Sequence, residues 1–182
     1  MDTKNKVAVI YKSKYGSTKK YAGWIAIKLD ADLYELSDVI NSNLQDYETI
    51  IYGSSLHAGK IKGLNFITKN YDKIKDKNII IFTVGLSKCN NKTIEKIADD
   101  NFNEEVLNNI RLFYLKGAFD YKNLTIIDKI MMKGLKKSLE NKSYNELEEG
   151  DKKFLRDFYS PMDFTNKKSV TPIVELVSSF EV

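Results

Sequence analysis

Residues 7–18, Val-Ala-Val-Ile-Tyr-Lys-Ser-Lys-Tyr-Gly-Ser-Thr, are the stretch that decides the fold. The apolar run from Val7 to Tyr11 predicts a buried strand, because strands covered on both faces are apolar throughout. Apolar positions then predict a helix from about Thr18 to Leu29. The unpaired N–H groups of a helix N-terminus and the positive end of its dipole both point into the connecting loop. The stretch therefore predicts a pocket for an anion.

The loop has the composition of a phosphate-binding loop, because Ser13, Ser17 and Thr18 supply hydroxyl groups and Gly16 lets the backbone approach a phosphate. A Walker loop would need a Gly-Lys-Ser/Thr ending, and a dinucleotide fingerprint would need three spaced glycines. The absence of carboxylates after the first and third strands excludes a response-regulator site. A loop for a terminal phosphate monoester remains. An ordinary strand–helix turn with good capping residues stays open as the alternative.

Apolar segments alternate with helical patterns along the chain. Further strands are predicted at Asp32–Leu36, Glu48–Gly53, Asn78–Val84 and Arg111–Lys116, and further helices at Lys62–Ile74 and Asn91–Asn109. This alternation predicts a parallel sheet with helices on both faces. In such sheets the ligand lies beyond the carboxyl ends of the strands, where the loops after the first, third and fourth strands meet. Trp24 is predicted to belong to the core.

The segment after the fifth strand is longer than a five-stranded domain needs, so an insertion is predicted over about 119–163. Tyr121–Lys137 is amphipathic and basic, and a second short helix is predicted at Glu146–Phe158. From residue 116 to 137 there are six lysines against two aspartates, a net charge of +4. The final helix is predicted within Asn166–Phe180, where Pro172 fits either a late start capped by the preceding threonine or a kinked first turn.

Composition narrows the classes of function. The 182 residues fit one domain, with 42% apolar and 30% charged residues. One cysteine and one histidine exclude an intramolecular disulfide and argue against a structural zinc site. A net charge of +4 and a pI near 8.9 favour anionic partners, and no base-stacking or groove-reading motif indicates nucleic acid. Without a signal peptide or a membrane-spanning run, a cytoplasmic protein is expected, free or peripheral at the inner membrane face.

Four segments carry a family resemblance: Tyr11–Thr18, Gly53–Gly59, Phe82–Leu86, and Leu115–Tyr121 leading into Asp128-Lys129-Ile130-Met131-Met132-Lys133. Over residues 1–182 the chain resembles flavodoxins, and it resembles more closely the flavodoxin-like subgroup that includes menaquinone-dependent protoporphyrinogen oxidase. The fourth segment looks like the insertion of that subgroup, which plain flavodoxins lack. Tyr15 departs from the family pattern, since a hydroxyl residue such as threonine is usual at that place.

The resemblance implies a flavodoxin-like α/β three-layer sandwich with a five-stranded parallel sheet in the order 2-1-3-4-5, and FMN as the cofactor. The flavin ring is expected between the loops 54–58 and 83–87. The implied cofactor-binding residues are Ser13, Lys14, Tyr15, Gly16, Ser17, Thr18, Ser54, Ser55, Leu56, His57, Ala58, Thr83, Val84, Gly85, Leu86, Ser87, Gly117 and Ala118. No catalytic triad and no metal are expected, since the flavin carries the chemistry.

The resemblance further implies an oxidoreductase of the protoporphyrinogen IX dehydrogenase (quinone) type, with electrons passing between a small substrate and a quinone. A soluble electron carrier between two redox proteins is the alternative, and a non-redox domain that binds a partner through the insertion is a third. Residues 121–137 are interpreted as a peripheral membrane contact, a clamp for an anionic, porphyrin-like substrate, or a helix with solvated lysines. His57 is either a proton-exchanging group or an exposed loop histidine, and Cys89 is either redox-active or buried filler. The oligomeric state stays open.

Overall fold

The computed structural model describes residues 6–39, 44–86 and 90–181, in which five parallel strands form the main sheet. These strands are β1 (Val7–Lys12), β2 (Asp32–Glu35), β3 (Thr49–His57), β5 (Asn78–Gly85) and β6 (Ile110–Lys116), and a short strand β4 (Lys60–Ile61) pairs antiparallel with β3. The order β2-β1-β3-β5-β6 is the predicted order of the five parallel strands. The predicted flavodoxin-like α/β class is therefore confirmed.

The helices are α1 (Ser17–Leu29), α2 (Asn65–Ile74), α3 (Asn91–Asn101), α4 (Glu104–Asn109), α5 (Ile126–Glu140), α6 (Glu149–Arg156) and α7 (Thr171–Ser178). Side chains of β1 alternate between two cores, because successive residues of a strand point to opposite faces. Val9 packs with buried residues of α1 and α7, whereas Ile10 packs with buried residues of α2, α3 and α4. Trp24 is half-buried against the α1/α7 core, with its ring edge-on to Tyr21 at 5.4 Å, in agreement with the core prediction.

Among the strands and helices before the insertion, three predicted boundaries were wrong, each because of a local backbone feature. β3 continues past Gly53 to His57, because its last two residues pair with β4 across a two-residue turn of left-handed backbone, Ala58-Gly59. Helix α2 starts at Asn65 rather than Lys62, since Gly63 is left-handed at φ +71°. The predicted helix 91–109 is broken in two, where the Asn103 side chain accepts a hydrogen bond from the Val106 N–H group and caps α4.

The insertion (residues 119–163) is joined to the sheet edge by a second, two-stranded sheet. Strand β7 (Ala118–Phe119) and strand β8 (Met162–Asp163) pair antiparallel at the two ends of the segment. Between them lie α5 and α6, which begin later than the predicted helices because short 3₁₀ turns (Tyr121–Asn123 and Tyr144–Glu146) precede them. A separate core contains buried Phe119, Phe158 and Met162. The insertion is therefore a packed unit with its own aromatic core.

The last helix resolves the alternatives at Pro172. A 3₁₀ turn (Lys167–Val170) leads into α7, and the proline stands in the first helical turn, where its missing N–H group has no intrahelical partner to lose. The late start is therefore correct, although Val170 rather than Thr171 occupies the capping position. Within the ranges described, none of the helices combines the length and apolar character required of a membrane-spanning segment.

Candidate functional site

A cavity of about 730 Å³ lies at the carboxyl ends of the parallel strands. This volume is within the roughly 300–1,000 Å³ of typical small-molecule sites. Of the predicted residues, the lining contains Ser13, Lys14, Tyr15, Ser17, Thr18, Ser55, Leu56, His57, Ala58, Val84, Gly85, Leu86, Gly117 and Ala118. The structure thus brings together residues from four loops that are far apart in sequence.

Four predicted site residues do not contribute to this lining as described. Gly16 forms the turn behind it, while Ser54 and Thr83 are fully buried beneath it in the sheet. The Ser54 hydroxyl donates to the Lys12 carbonyl at 3.4 Å, and the Thr83 hydroxyl has no hydrogen-bond partner among the described residues. Ser87 lies outside the described residues, as does Cys89.

The phosphate-loop candidate has the backbone geometry of an anion site. Gly16 is left-handed at φ +92°, a conformation that glycine adopts without strain, and it occupies the capping position of α1. Its N–H group donates to the Ser13 hydroxyl at 3.1 Å and its carbonyl accepts from the Lys20 N–H group at 3.0 Å. Since Gly16 has no side chain to cap the helix, the first-turn N–H groups of α1 remain directed at the loop.

The first turn of α1 is hydrogen-bonded to the start of β7. The Ala118 N–H group donates to the Ser17 hydroxyl oxygen at 2.9 Å, which leaves the hydroxyl proton available for an anion. Gly117 permits this approach, because a Cβ atom there would lie 2.9 Å from Val84 Cγ1. Thr18 is almost fully buried beside this contact.

The opposite side of the cavity is more apolar. Leu56 projects from the extension of β3, Val84 lies near the end of β5, and Leu86 follows that strand. Gly85 leaves room for Tyr114, because a Cβ atom at that position would lie 2.5 Å from the Tyr114 hydroxyl oxygen. Apolar residues of this kind suit contact with a planar ring system.

Helix α5 of the insertion covers the cavity. Its residues Met131, Met132 and Leu135, which we call the roof, contribute to the lining together with Leu124 and Phe119. The sequence analysis predicted that the insertion follows the last strand, but it did not predict that the insertion covers the carboxyl ends of the strands. The remaining unpredicted lining residues are Lys12, Gly59, Lys62, Tyr114 and Asp128.

Asp128 is the central residue that sequence reasoning missed. Its carboxylate accepts hydrogen bonds from Lys14 Nζ at 2.5 Å, His57 Nε2 at 3.0 Å, the Thr125 hydroxyl at 3.0 Å and the Tyr15 hydroxyl. We call these five residues the Asp128 cluster. The Asp128 side chain is only 7% exposed. These donors, Lys14 first and then Tyr15, lower the pKa of Asp128 well below its usual range.

The cluster joins three parts of the protein at one carboxylate. Lys14 and Tyr15 belong to the phosphate-loop candidate, His57 to the end of β3, and Thr125 to the cap of α5. The hydrogen bond to Asp128 raises the pKa of Lys14, so both partners stay charged. His57 is a half-buried strand residue rather than an exposed loop histidine. A sequence signal existed, because Thr125-Ile-Ile-Asp128 is a capping-box spacing.

The Flavodoxin domain family model matches residues 8–145, which is most of the chain and extends through α5. The chain belongs to the flavodoxin domain family. The match identifies the flavodoxin domain, but it does not assign the chain to a subgroup of the family. The match supports FMN as the cofactor of this chain. A search of curated proteins finds none that matches.

Three solved structures illustrate what this flavodoxin domain is similar to. The flavodoxin, WrbA-like protein from Agrobacterium tumefaciens has 21% identity and a TM-score of 0.38 over 49% of this chain, and the match spans only 64% of that protein. The Trp repressor binding protein from Bacillus subtilis has 17% identity and a TM-score of 0.46, covering 62% of this chain and 83% of its own. A flavoprotein in complex with FMN from Lactobacillus acidophilus has 20% identity and a TM-score of 0.42, covering 62% and 92%.

Proposed function

We propose that the protein is an FMN-dependent oxidoreductase that takes two electrons and two protons from a small reduced substrate and delivers them to a quinone. Protoporphyrinogen oxidation by menaquinone is the model reaction. The observation that carries the proposal is the roofed cavity, in which a phosphate-loop candidate, an apolar slot and the insertion helix α5 enclose one space. An enclosed space beside a redox group suits a small substrate.

The phosphate of FMN fits the loop 13–18. The first-turn N–H groups of α1, the Ser17 hydroxyl proton and the Lys14 ammonium group are the donors that would hold it. Lys14 is already bound to Asp128, yet an ammonium group has three donors and retains capacity for a phosphate oxygen. Tyr15 is not expected to bind the phosphate, because its hydroxyl donates to Asp128.

The ring of FMN fits between Leu56 on one side and Val84 and Leu86 on the other. When bound there, FMN supplies reversible two-electron chemistry, and the protein orients it and excludes water. Met131 and Met132 of the roof provide adaptable apolar contacts for a second flat molecule beside it. His57 lines the cavity and is held by Asp128, which supports a role for it in holding or releasing a proton at the ring.

The roof favours the enzyme over the alternative, a flavodoxin-type electron carrier. A carrier passes electrons to another protein, which must bring its own redox group close to the flavin. Helix α5 stands over the cavity and is held there by the Asp128 cluster, so a protein surface has less access than a small quinone. The enzyme and the electron carrier can therefore be distinguished by comparing a small acceptor with a protein acceptor.

Two lysines at the cavity favour an anionic substrate. Lys12 and Lys62 are exposed and also line the space beside the β3 extension. Cations at the mouth of a cavity attract anionic substrates and stabilise their carboxylates. A Lys12→Gln, Lys62→Gln variant should therefore raise the KM for a porphyrinogen carboxylate while leaving the reaction with a neutral quinone unchanged.

The first experiment is titration of the purified protein with FMN and with riboflavin, which lacks the phosphate. Two charge-assisted hydrogen bonds of about 1.5 kcal/mol each predict roughly hundredfold tighter binding of FMN. Equal affinities would remove the phosphate-loop assignment. Failure to bind either ligand would overturn the proposed redox function and favour a partner-binding domain.

The second experiment is rapid-mixing reoxidation of the reduced FMN-loaded protein by a soluble menaquinone analogue and by a cytochrome-sized acceptor. Fast reaction with the quinone and slow reaction with the protein support the oxidase. The reverse order would support the electron carrier. If the quinone reacts, porphyrinogen is the next substrate to supply.

A further inference from the structure

Helix α5 has an apolar surface that does not face the cavity. Ile126, Ile127 and Ile130 are 78%, 70% and 66% exposed, and we call them the outer face of α5. On a helix these positions share one side, opposite to the roof residues Met132 and Leu135, and the third roof residue, Met131, lies at the border of that side. Such a concentration of exposed isoleucine on one helix marks an interaction surface rather than scattered surface residues.

Lysines surround and extend this face. Lys133 follows Ile126 by seven residues and Lys137 follows Ile130 by seven, so both continue the same side of the helix. Lys122 and Lys129 lie in the same segment. The four lysines belong to the stretch 116–137, whose net charge of +4 equals the formal excess of the whole protein.

We propose that the outer face of α5 docks on the surface of an anionic lipid bilayer. An interfacial helix combines an apolar face that enters the headgroup region with lysines that contact anionic headgroups. Each lysine near such a surface strengthens binding by about fivefold, and single apolar or charge signals give only weak attachment. The isoleucines and lysines of α5 supply both signals on one side of one helix.

In this orientation α5 lies between the lipid and the cavity, so the cavity is separated from the lipid surface by about one helix diameter. The docking itself needs neither FMN nor redox chemistry, so the two proposals are measured separately. A second copy of the chain or a protein partner is the competing occupant of the same face.

The test is co-sedimentation of the full chain with vesicles of phosphatidylcholine alone and of phosphatidylcholine with phosphatidylserine. The wild type should bind the mixed vesicles, and added salt should release it, because exposed charges are screened. A variant with Ile126→Ser, Ile127→Ser and Ile130→Ser should bind at least about tenfold more weakly. A second variant, with glutamine in place of Lys122, Lys129, Lys133 and Lys137, should lose the preference for the anionic lipid.

Matched controls are available on α1. Ile27 is 75% exposed, so Ile27→Ser makes the same chemical change elsewhere, and Lys19→Gln with Lys28→Gln removes exposed charge from the same helix. These variants should bind like the wild type. Circular dichroism and FMN titration verify that every variant is folded.

Several outcomes would overturn the docking proposal. They are no binding to the anionic vesicles, equal binding to both vesicle types, or equal loss in the Ile27→Ser control. Sedimentation velocity that shows a dimer dissociated by the triple isoleucine variant would assign the face to self-association instead. Vesicle binding without quinone-dependent reoxidation would leave the docking intact and remove the proposed oxidase function.

Discussion

At the scale of single residues, Asp128 defines how this flavodoxin domain differs from a bare strand–loop–helix phosphate site. A buried carboxylate is unfavourable unless each of its oxygens is hydrogen-bonded. Here one oxygen accepts from Lys14, Tyr15 and Thr125, and the other accepts from His57. The site therefore contains a fixed negative charge that positions a cation beside the expected phosphate.

Replacing this charge tests the cluster directly. Asp128→Asn should lower the free energy of unfolding by about 2 kcal/mol at neutral pH, the usual contribution of hydrogen bonds to a charged group. Since the pKa of Asp128 is lowered in the folded protein, its contribution is complete above the usual value of 3.8 and is lost as the pH falls through the lowered pKa. Urea unfolding at neutral pH and at about pH 3 should show the difference shrinking in acid.

Asp72 offers the control for this comparison. Its side chain is 93% exposed and lies 3.8 Å from Lys75, so Asp72→Asn should change stability by less than about 0.5 kcal/mol. An Asp128→Asn effect as small as the Asp72→Asn effect, or one that grows in acid, would contradict the assignment of a charged, hydrogen-bonded carboxylate.

The contacts of Tyr15 give a reason why a tyrosine stands where the family pattern usually has threonine. Its hydroxyl donates to Asp128 and accepts from the Thr125 N–H group at 3.2 Å, so a residue of the phosphate loop holds the first turn of α5. Tyr15→Phe should raise amide exchange in α5 by about fivefold to tenfold, corresponding to roughly 1 kcal/mol, and leave the sheet unchanged. Hydrogen exchange by mass spectrometry measures both. Tyr144→Phe, 72% exposed in the same insertion, should change neither, and equal exchange in the two variants would argue against the Tyr15 contact.

At the scale of elements, the insertion behaves as a second packing unit attached at a few points. Strands β7 and β8 join its ends, the Asp128 cluster holds α5, and Phe158 packs against rings on both sides of the segment. Phe158 is 1% exposed, with ring centroids 5.6 Å from Phe119 and 5.3 Å from Phe154. Its ring is therefore a central part of this core.

Truncating that ring should release the insertion before the sheet. Phe158→Ala should destabilise the insertion by about 3 kcal/mol, as for other buried phenylalanines, whereas Phe158→Leu should have a smaller effect. Limited proteolysis should then cut within α5 or α6 while the sheet stays intact. Tyr159→Ala, 59% exposed beside the same ring, is the control, and cleavage spread evenly over the chain would mean that the insertion and the sheet unfold together.

Local patterns were sufficient for the five parallel strands, because β1, β3 and β5 contain apolar runs bounded by turn residues and the exposed strand β2 alternates polar and apolar residues. Local patterns did not predict helix boundaries that depend on one residue, such as left-handed Gly63 before α2 and the capping residue Asn103 between α3 and α4. They also failed for Asp128, whose partner Lys14 is 114 residues away. A pairing over that distance depends on how α5 packs on the finished sheet, which no local periodicity contains.

At the scale of the whole molecule, the cavity connects two units that otherwise touch at few places. Its floor belongs to the sheet edge and its roof to α5, so a ligand that fills it contacts both. A ligand that binds only the folded form stabilises whatever it contacts by mass action. Binding of FMN should therefore couple the stability of the insertion to that of the sheet.

This coupling gives a prediction for the complete protein. At about a hundred times the Kd, FMN should add roughly 2.7 kcal/mol to the free energy of unfolding and raise the thermal midpoint accordingly. Because α5 supplies the roof, hydrogen exchange should slow in α5 and α6 as well as in the loop 13–18. The Asp128→Asn variant, with α5 held less firmly, should bind FMN more weakly and show less of this protection. Protection confined to the phosphate loop and α1 would mean that the insertion does not close on the cofactor, and the roofed cavity would then lose its role as a substrate site.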